Sequence, residues 1–110
     1  MTKLMNLIFK ALSDPTRRRI LQLLRERPMT AGQIAEYFDC AKPTLSAHFA
    51  VLREADLVDS EKVGTTITYS LKVSVLEDAL LCFAETVGVG ALSGVKRRLA
   101  TRRIKWSTER

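Results

Sequence analysis

The sequence predicts a mainly α-helical domain that carries one small β-hairpin, and three observations support this fold class. Apolar residues recur at helical spacing in five separate segments. Residues 66–71 instead alternate polar and apolar side chains, which is the period of a half-buried strand. The length of 110 residues suits one domain, and 46% hydrophobic with 27% charged residues excludes collagen-like and wholly disordered chains.

The first two predicted helices meet at residues 13–15. The apolar positions of the first helix are Leu4, Ile8, Ala11 and Leu12. Asp14 suits the N-cap of the second helix, and Pro15 suits its first position, where a missing N–H costs nothing. Pro28 ends the second helix. Its predicted inner residues are Ile20, Leu21, Leu23 and Leu24, and its predicted outer residues are Arg17, Arg18, Gln22 and Arg25.

A short third helix and a longer fourth helix follow. Thr30 with Gln33 three residues later has the pattern of a capping box, which starts the third helix. Residues 39–41 form a tight break, and Pro43 then lies in the first turn of the fourth helix. The apolar positions are Ile34, Ala35 and Phe38 in the third helix, and Leu45, Phe49 and Leu52 in the fourth.

The hairpin and a fifth helix complete the predicted elements. Gly64 lies in the turn before the alternating strand, whose inner residues are Ile67, Tyr69 and Leu71. The apolar positions of the fifth helix are Val75, Leu76, Ala79, Leu80, Phe83 and Val87, and Gly88 and Gly90 end it. This order of helices and hairpin predicts a winged helix-turn-helix.

The fourth predicted helix carries the candidate binding surface. Its outer side chains are short, polar or small, and they lack the long Glu–Lys pairs of an ordinary solvated helix. Such a surface can approach base edges closely, and a helix N-terminus favours phosphate. The predicted DNA-facing residues are Lys42, Thr44, Ser46, Ala47 and His48.

The net charge of +6 favours an anionic partner, either a nucleic acid or a membrane surface. Seven basic residues and one acidic residue fall in residues 96–110, so this tail carries the whole net positive charge of the chain. We therefore divide the chain into a DNA-binding and dimerisation domain over residues 1–90 and a basic tail over residues 91–110. The tail is a solvated segment, an arm that contacts DNA phosphates, or a short amphipathic helix for a partner protein or an anionic surface.

Four sequence segments resemble the ArsR/SmtB family of bacterial repressors, over about residues 5–80. These segments are FKALSDPTRRRILQLL, MTAGQIAEYF, KPTLSAHFAVLREADLV and GTTITYSL. The resemblance implies a homodimer joined through the first and fifth helices, an inverted-repeat operator in double-stranded DNA, and phosphate contacts from Arg53, Lys62, Thr65 and Thr66. The second segment is similar to an autorepressor subgroup, which implies regulation of the protein's own gene.

The metal sites of that family lack their ligands in this sequence. The positions of its Cys-x-Cys pair hold Thr30 and Gly32, and the fifth helix has no histidine. We therefore expect no metal and no cofactor. Cys40 and Cys82 are either small apolar residues or a thiol-switch pair. A metal- or thiol-responsive repressor and a winged-helix protein-interaction module remain alternatives.

Neither catalysis nor secretion is predicted. His48 has no nucleophile or carboxylate at a catalytic spacing, so we do not expect an enzyme. The apolar run at the start of the chain is broken by Asn6 and Lys10, which is unlike a signal peptide or a membrane span. We expect a cytoplasmic protein that is associated with the nucleoid when it is bound to DNA.

Overall fold

The computed structural model describes residues 3–88, which form five α-helices and three β-strands. The helices are α1 (Lys3–Leu12), α2 (Pro15–Glu26), α3 (Ala31–Ala35), α4 (Lys42–Glu54) and α5 (Val73–Val87). The strands are β1 (Met29–Thr30), β2 (Val58–Val63) and β3 (Thr66–Leu71). The mainly helical prediction is confirmed. The predictions for Gly90 and for the tail of residues 91–110 lie outside the described residues.

The two helix starts that were predicted from capping side chains are confirmed. The Asp14 carboxylate accepts from the backbone N–H groups of Thr16 and Arg17, at 2.8 and 3.2 Å, and Pro15 opens α2. Thr30 and Gln33 form a reciprocal capping box, in which each side chain accepts from the other residue's backbone N–H. These bonds satisfy N–H groups that the helix itself leaves without partners.

The predicted two-stranded hairpin is part of a three-stranded antiparallel sheet with the order β1-β3-β2. The additional strand is β1, where Met29 lies opposite Tyr69 and Thr30 lies opposite Thr68. Two residues are too few to show an alternating pattern, which is why the sequence did not reveal this strand. Val63 pairs with Thr66, so the hairpin turn has two residues, and Gly64 takes its positive φ of 64° at the first of them.

One hydrophobic core joins the helices to the sheet. Phe49 of α4 stacks on Tyr69 of β3 with ring centroids 4.3 Å apart. Both rings are buried, so this contact fixes the hairpin against α4. The largest fully buried side chains are Met5, Ile8, Ile20, Ile34, Leu52, Leu57 and Leu81.

The apolar positions of α5 do not all face the core. Ala79 is buried, and Val75 and Leu76 pack partly buried against the core. Four apolar side chains of this helix are instead exposed by more than a third of their surface, namely Val73, Leu80, Phe83 and Val87. The helix ends at Gly88, whose φ of 77° is the left-handed conformation of a C-terminal cap. None of the helices described here is long and apolar enough to cross a membrane.

Asp56 and Lys72 fix the entry into the hairpin. Asp56 adopts a φ of 61° directly after α4, and its carboxylate accepts from the Lys72 ammonium group at 2.7 Å. That hydrogen bond is the main reason why the pKa of Lys72 is raised, against a smaller lowering by partial burial. The pair ties the start of β2 to the start of α5, which determines where the hairpin leaves the helical body.

Candidate nucleic-acid interface

Helix α4 presents an exposed surface on a firmly packed support. Leu45, Phe49 and Leu52 are buried on its inner side, as predicted. The first turn contains no acidic residue, and the Ala41 cap provides no side-chain hydrogen bond. The N–H groups at the start of α4 are therefore available to an anion such as a phosphate.

Four of the five residues that were predicted to face DNA are exposed on α4, namely Lys42, Thr44, Ser46 and Ala47. At 100° per residue, Lys42, Ser46 and Arg53 fall along one edge of the exposed surface, and Ala47 falls near its middle. Arg53 is exposed as well. The described structure therefore brings these residues onto one accessible face, while their contacts with DNA stay a prediction.

His48 differs from the other four, because most of its side chain is covered. Its side chain is 16% exposed, and Nδ1 lies 3.1 Å from Nη1 of Arg17. Nε2 lies 3.9 Å from Oδ2 of Asp14. His48 therefore has partners within the protein, and its contact with DNA stays a prediction.

Arg17 is not the outward-facing residue that the sequence predicted. Its side chain is half-buried, and it donates to the backbone carbonyls of Ala11 and Lys10, at 2.8 and 2.9 Å, as well as lying against His48. Arg18 donates to the carbonyl of Leu12 at 2.8 Å. The last carbonyls of a helix lack partners within it, which is a sequence-level reason to expect such contacts. Nothing in the sequence indicated the contact with His48, 31 residues away.

The Asp14 carboxylate lies within this group. Partial burial raises its pKa, but the N–H donors of Arg17 and Thr16 and the nearby charges of His48 and Arg17 outweigh that effect. The pKa of Asp14 is therefore lowered from its ordinary value of 3.8. The Asp14 carboxylate is therefore ionised in the folded protein at neutral pH, as an N-cap acceptor should be.

Replacing Asp14 by Ala is expected to lower the melting temperature by about 4–8 °C, because two N–H groups of α2 lose their acceptor. A lowered folded-state pKa stabilises the fold above the unfolded-state value and ceases to do so as the pH falls through the folded-state value. The Asp14→Ala variant should thus be less stable than the wild type at neutral pH, and the two should become equally stable in acid. Asp59→Ala is the control, since Asp59 is exposed and accepts from its neighbour Ser60. Equal melting temperatures for Asp14→Ala and the wild type would refute this role.

The hairpin of β2 and β3 carries, at its outer end, three of the residues that were predicted to contact phosphate. Lys62, Thr65 and Thr66 are all exposed. Thr65 lies in the turn, and Thr66 begins β3 opposite Val63. Apart from the exposed Val63, the hairpin tip is polar, and its one positive charge at Lys62 suits a phosphate backbone.

The two cysteines occupy different parts of the fold, and no disulfide joins them in residues 3–88. Cys40 is exposed just before α4, and Cys82 is half-buried on α5. The thiol-switch pairing stays a prediction. Over residues 3–88, no group of three or more His, Cys, Asp or Glu side chains is arranged to hold a metal ion.

Comparisons with known proteins agree with this architecture. A family model described as a helix-turn-helix domain matches residues 12–61. The transcriptional repressor SdpR of Bacillus subtilis is 49% identical over 76 residues, which cover 69% of this chain and 84% of SdpR. An arsenical resistance operon repressor of Staphylococcus aureus is 36% identical, over 71% of this chain and 75% of its own.

A solved structure shows the same fold. The crystal structure of an ArsR family transcriptional regulator superposes with a TM-score of 0.70 and 27% sequence identity. The match covers 92% of this chain and 95% of the other. The similarity thus extends from the helix-turn-helix through the hairpin to the flanking helices.

Proposed function

This chain belongs to the ArsR family of DNA-binding transcriptional regulators, which are not enzymes, and we propose that it acts as a homodimeric repressor on an inverted-repeat operator. In this proposal α4 is the recognition helix and enters the major groove. The hairpin of β2 and β3 is the wing and lies along the flanking phosphate backbone. Repression follows because a bound dimer blocks access to the promoter.

The main support for this proposal is the outer surface of α4. Its exposed side chains at Ser46 and Ala47 are small, so the helix backbone can approach base edges closely. Lys42 adds a positive charge at the end of the helix where the dipole also favours an anion. The stacked pair of Phe49 and Tyr69 supports this surface from behind. A rigid support favours sequence-specific contacts over a loosely held basic surface.

The exposed apolar side chains of α5 support the proposed dimer. Leu80, Phe83 and Val87 recur along one side of the helix, and Phe83 packs edge-on against Phe9 of α1, with ring centroids 4.8 Å apart. Leu4 and Leu7 of α1 are also only partly buried. A continuous apolar surface shared by two neighbouring helices is typical of a protein interface. A two-fold axis through it would present two copies of α4 to the same side of DNA.

The proposed operator lies upstream of the protein's own gene. The segment at residues 29–38 resembles an autorepressor subgroup, and SdpR is a repressor by its name. We propose regulation of the protein's own gene on these two grounds. The basic residues in the tail would add phosphate contacts to either specific or non-specific DNA.

Fluorescence anisotropy with a labelled duplex of the protein's own upstream region tests this function. The titration runs at two salt concentrations, with an unrelated duplex as the control, and with added zinc or a thiol oxidant in parallel. We expect salt-dependent binding that is at least ~10³-fold tighter on the upstream duplex than on the unrelated one. Loss of binding with either agent would favour the sensor alternative. Equal affinity for both duplexes would refute an operator in this region.

Replacing Lys62 by Ala is expected to weaken binding to all duplexes by a similar factor, because a wing lysine binds phosphates rather than bases. The slope of log affinity against log salt should fall by about 0.9 for each phosphate that the variant no longer neutralises. Glu61→Gln is a neighbouring control that also changes the charge of β2 by one unit but removes no positive group. A selective decrease in affinity for the operator would contradict the proposed role of Lys62.

A further inference from the structure

One side chain, Arg17, joins the end of α1 to the middle of α4. Its Nε donates to the carbonyl of Ala11 at 2.8 Å, and its Nη2 donates to the carbonyl of Lys10 at 2.9 Å. Its Nη1 lies 3.1 Å from Nδ1 of His48. Three different atoms of a single guanidinium group thus contact two helices that are far apart in sequence.

The shape of the guanidinium group turns these contacts into a fixed geometry. Its N–H groups lie in one rigid plane, so two bonds to successive carbonyls of α1 determine the direction of the third. That third N–H is directed at the His48 ring, two residues beyond Ser46 on α4. This contact therefore connects His48, in the middle of α4, directly to the end of α1.

We propose that Arg17 is a positioning residue for DNA binding, which orients α4 through His48 without itself touching DNA. This proposal rests on the proposed function, because it assumes that α4 reads an operator. Three of the N–H groups of Arg17 already contact the protein, and the side chain is half-buried. Since α1 is also part of the proposed dimer interface, Arg17 links the arrangement of the dimer to the orientation of each recognition helix.

Positioning and direct contact predict different DNA-binding behaviour. A residue that orients α4 affects base contacts, so its removal lowers operator affinity and leaves non-specific affinity unchanged. A residue that binds a phosphate affects both affinities alike, and its removal reduces the salt slope by about 0.9. A decrease in overall stability would instead lower the melting temperature and the fraction of active protein.

The main test compares Arg17→Ala with Arg19→Ala, which removes the same charge from the same helix. Arg19 is exposed and donates to Gln22, within α2. Anisotropy is measured on the operator and on an unrelated duplex over a salt series. We expect Arg17→Ala to bind the operator roughly tenfold more weakly than Arg19→Ala, with equal salt slopes and equal affinity for the unrelated duplex. A smaller salt slope for Arg17→Ala, with both duplexes weakened alike, would overturn the proposal.

A second variant, Arg17→Lys, keeps the charge but lacks the planar fork. Its operator affinity should fall about as much as that of Arg17→Ala, because an ammonium group cannot hold two carbonyls and the imidazole in one plane. Restoration of wild-type affinity by lysine would show that charge alone matters and would overturn the proposal. This variant also serves if Arg17→Ala proves too unstable to assay.

A double-mutant cycle tests the route through His48. If Arg17 acts through His48, the double variant Arg17→Ala with His48→Ala should bind the operator no more weakly than the weaker single variant. If the decrease for the double variant equals the product of the two single decreases, the two residues contribute independently. That result would refute the claim that Arg17 acts through His48. The two proposals fail separately: absence of operator binding by the wild-type protein refutes the proposed function, whereas wild-type operator affinity in Arg17→Ala refutes only the positioning role.

Discussion

The Ser46→Glu variant is expected to bind the operator roughly 100-fold more weakly, or weaker still. Ser46 is exposed on α4, in line with Lys42 one turn earlier. In the proposed complex its side chain approaches base edges and phosphates, and a carboxylate there brings like charges together at a cost of several kcal/mol. The new carboxylate would also pair with Lys42 and remove that group from the phosphate. Anisotropy on the operator duplex measures the decrease.

The fold should tolerate this change, which makes the result easy to interpret. Glutamate is a good helix former, and the substituted side chain is not part of the core. Ser74→Glu is the matched control, because Ser74 is exposed in the first turn of α5 and belongs neither to α4 nor to the wing. We expect the control to keep its operator affinity and both variants to keep their circular dichroism. Tight operator binding by Ser46→Glu would exclude α4 as the recognition helix.

The Leu80→Glu variant is expected to be monomeric and to bind the operator weakly. Leu80 is 45% exposed although it is a large apolar side chain on a packed helix. In the proposed dimer it is buried against the partner, where an unpaired carboxylate costs several kcal/mol. A monomer binds one half-site only, so it forgoes most of the affinity that comes from linking two recognition helices. Sedimentation velocity measures the change in mass, and anisotropy measures the affinity.

Because Leu80 lies at the surface, the Leu80→Glu change is not expected to unfold the protein. An exposed side chain contributes little to the core, so the circular dichroism of Leu80→Glu should stay helical. Ser74→Glu again provides the control, since it adds the same charge to a different side of α5. We expect that control to remain dimeric. A dimeric Leu80→Glu with full operator affinity would place the interface elsewhere and contradict the role given to α5.

Local chemistry made much of the fold predictable from the sequence. Asp14, Pro15 and the capping box of Thr30 and Gln33 act through bonds to backbone groups within three residues, so their patterns determine where α2 and α3 begin. The buried side of α4 followed from helical spacing in the same way. The exposed recognition residues then followed as the remainder of that helix.

The features that the sequence missed depend on contacts distant along the chain. Strand β1 has two residues and exists because β3 pairs with it. The contact between Arg17 and His48 depends on how α1 and α4 pack, and no local pattern specifies that. On α5, apolar residues lie on several sides, so helical spacing alone did not separate core positions such as Ala79 from exposed ones such as Leu80.

The most direct test of the central claim is selection of bound sequences from a random duplex library by the full-length protein. A homodimer that reads DNA through two copies of α4 should enrich a two-fold symmetric sequence, with half-site centres about 10–10.5 base pairs apart. Ser46→Glu, selected in parallel, should enrich that sequence much less strongly. Enrichment of no sequence, or of one without two-fold symmetry, would contradict the account of a dimeric operator-binding repressor.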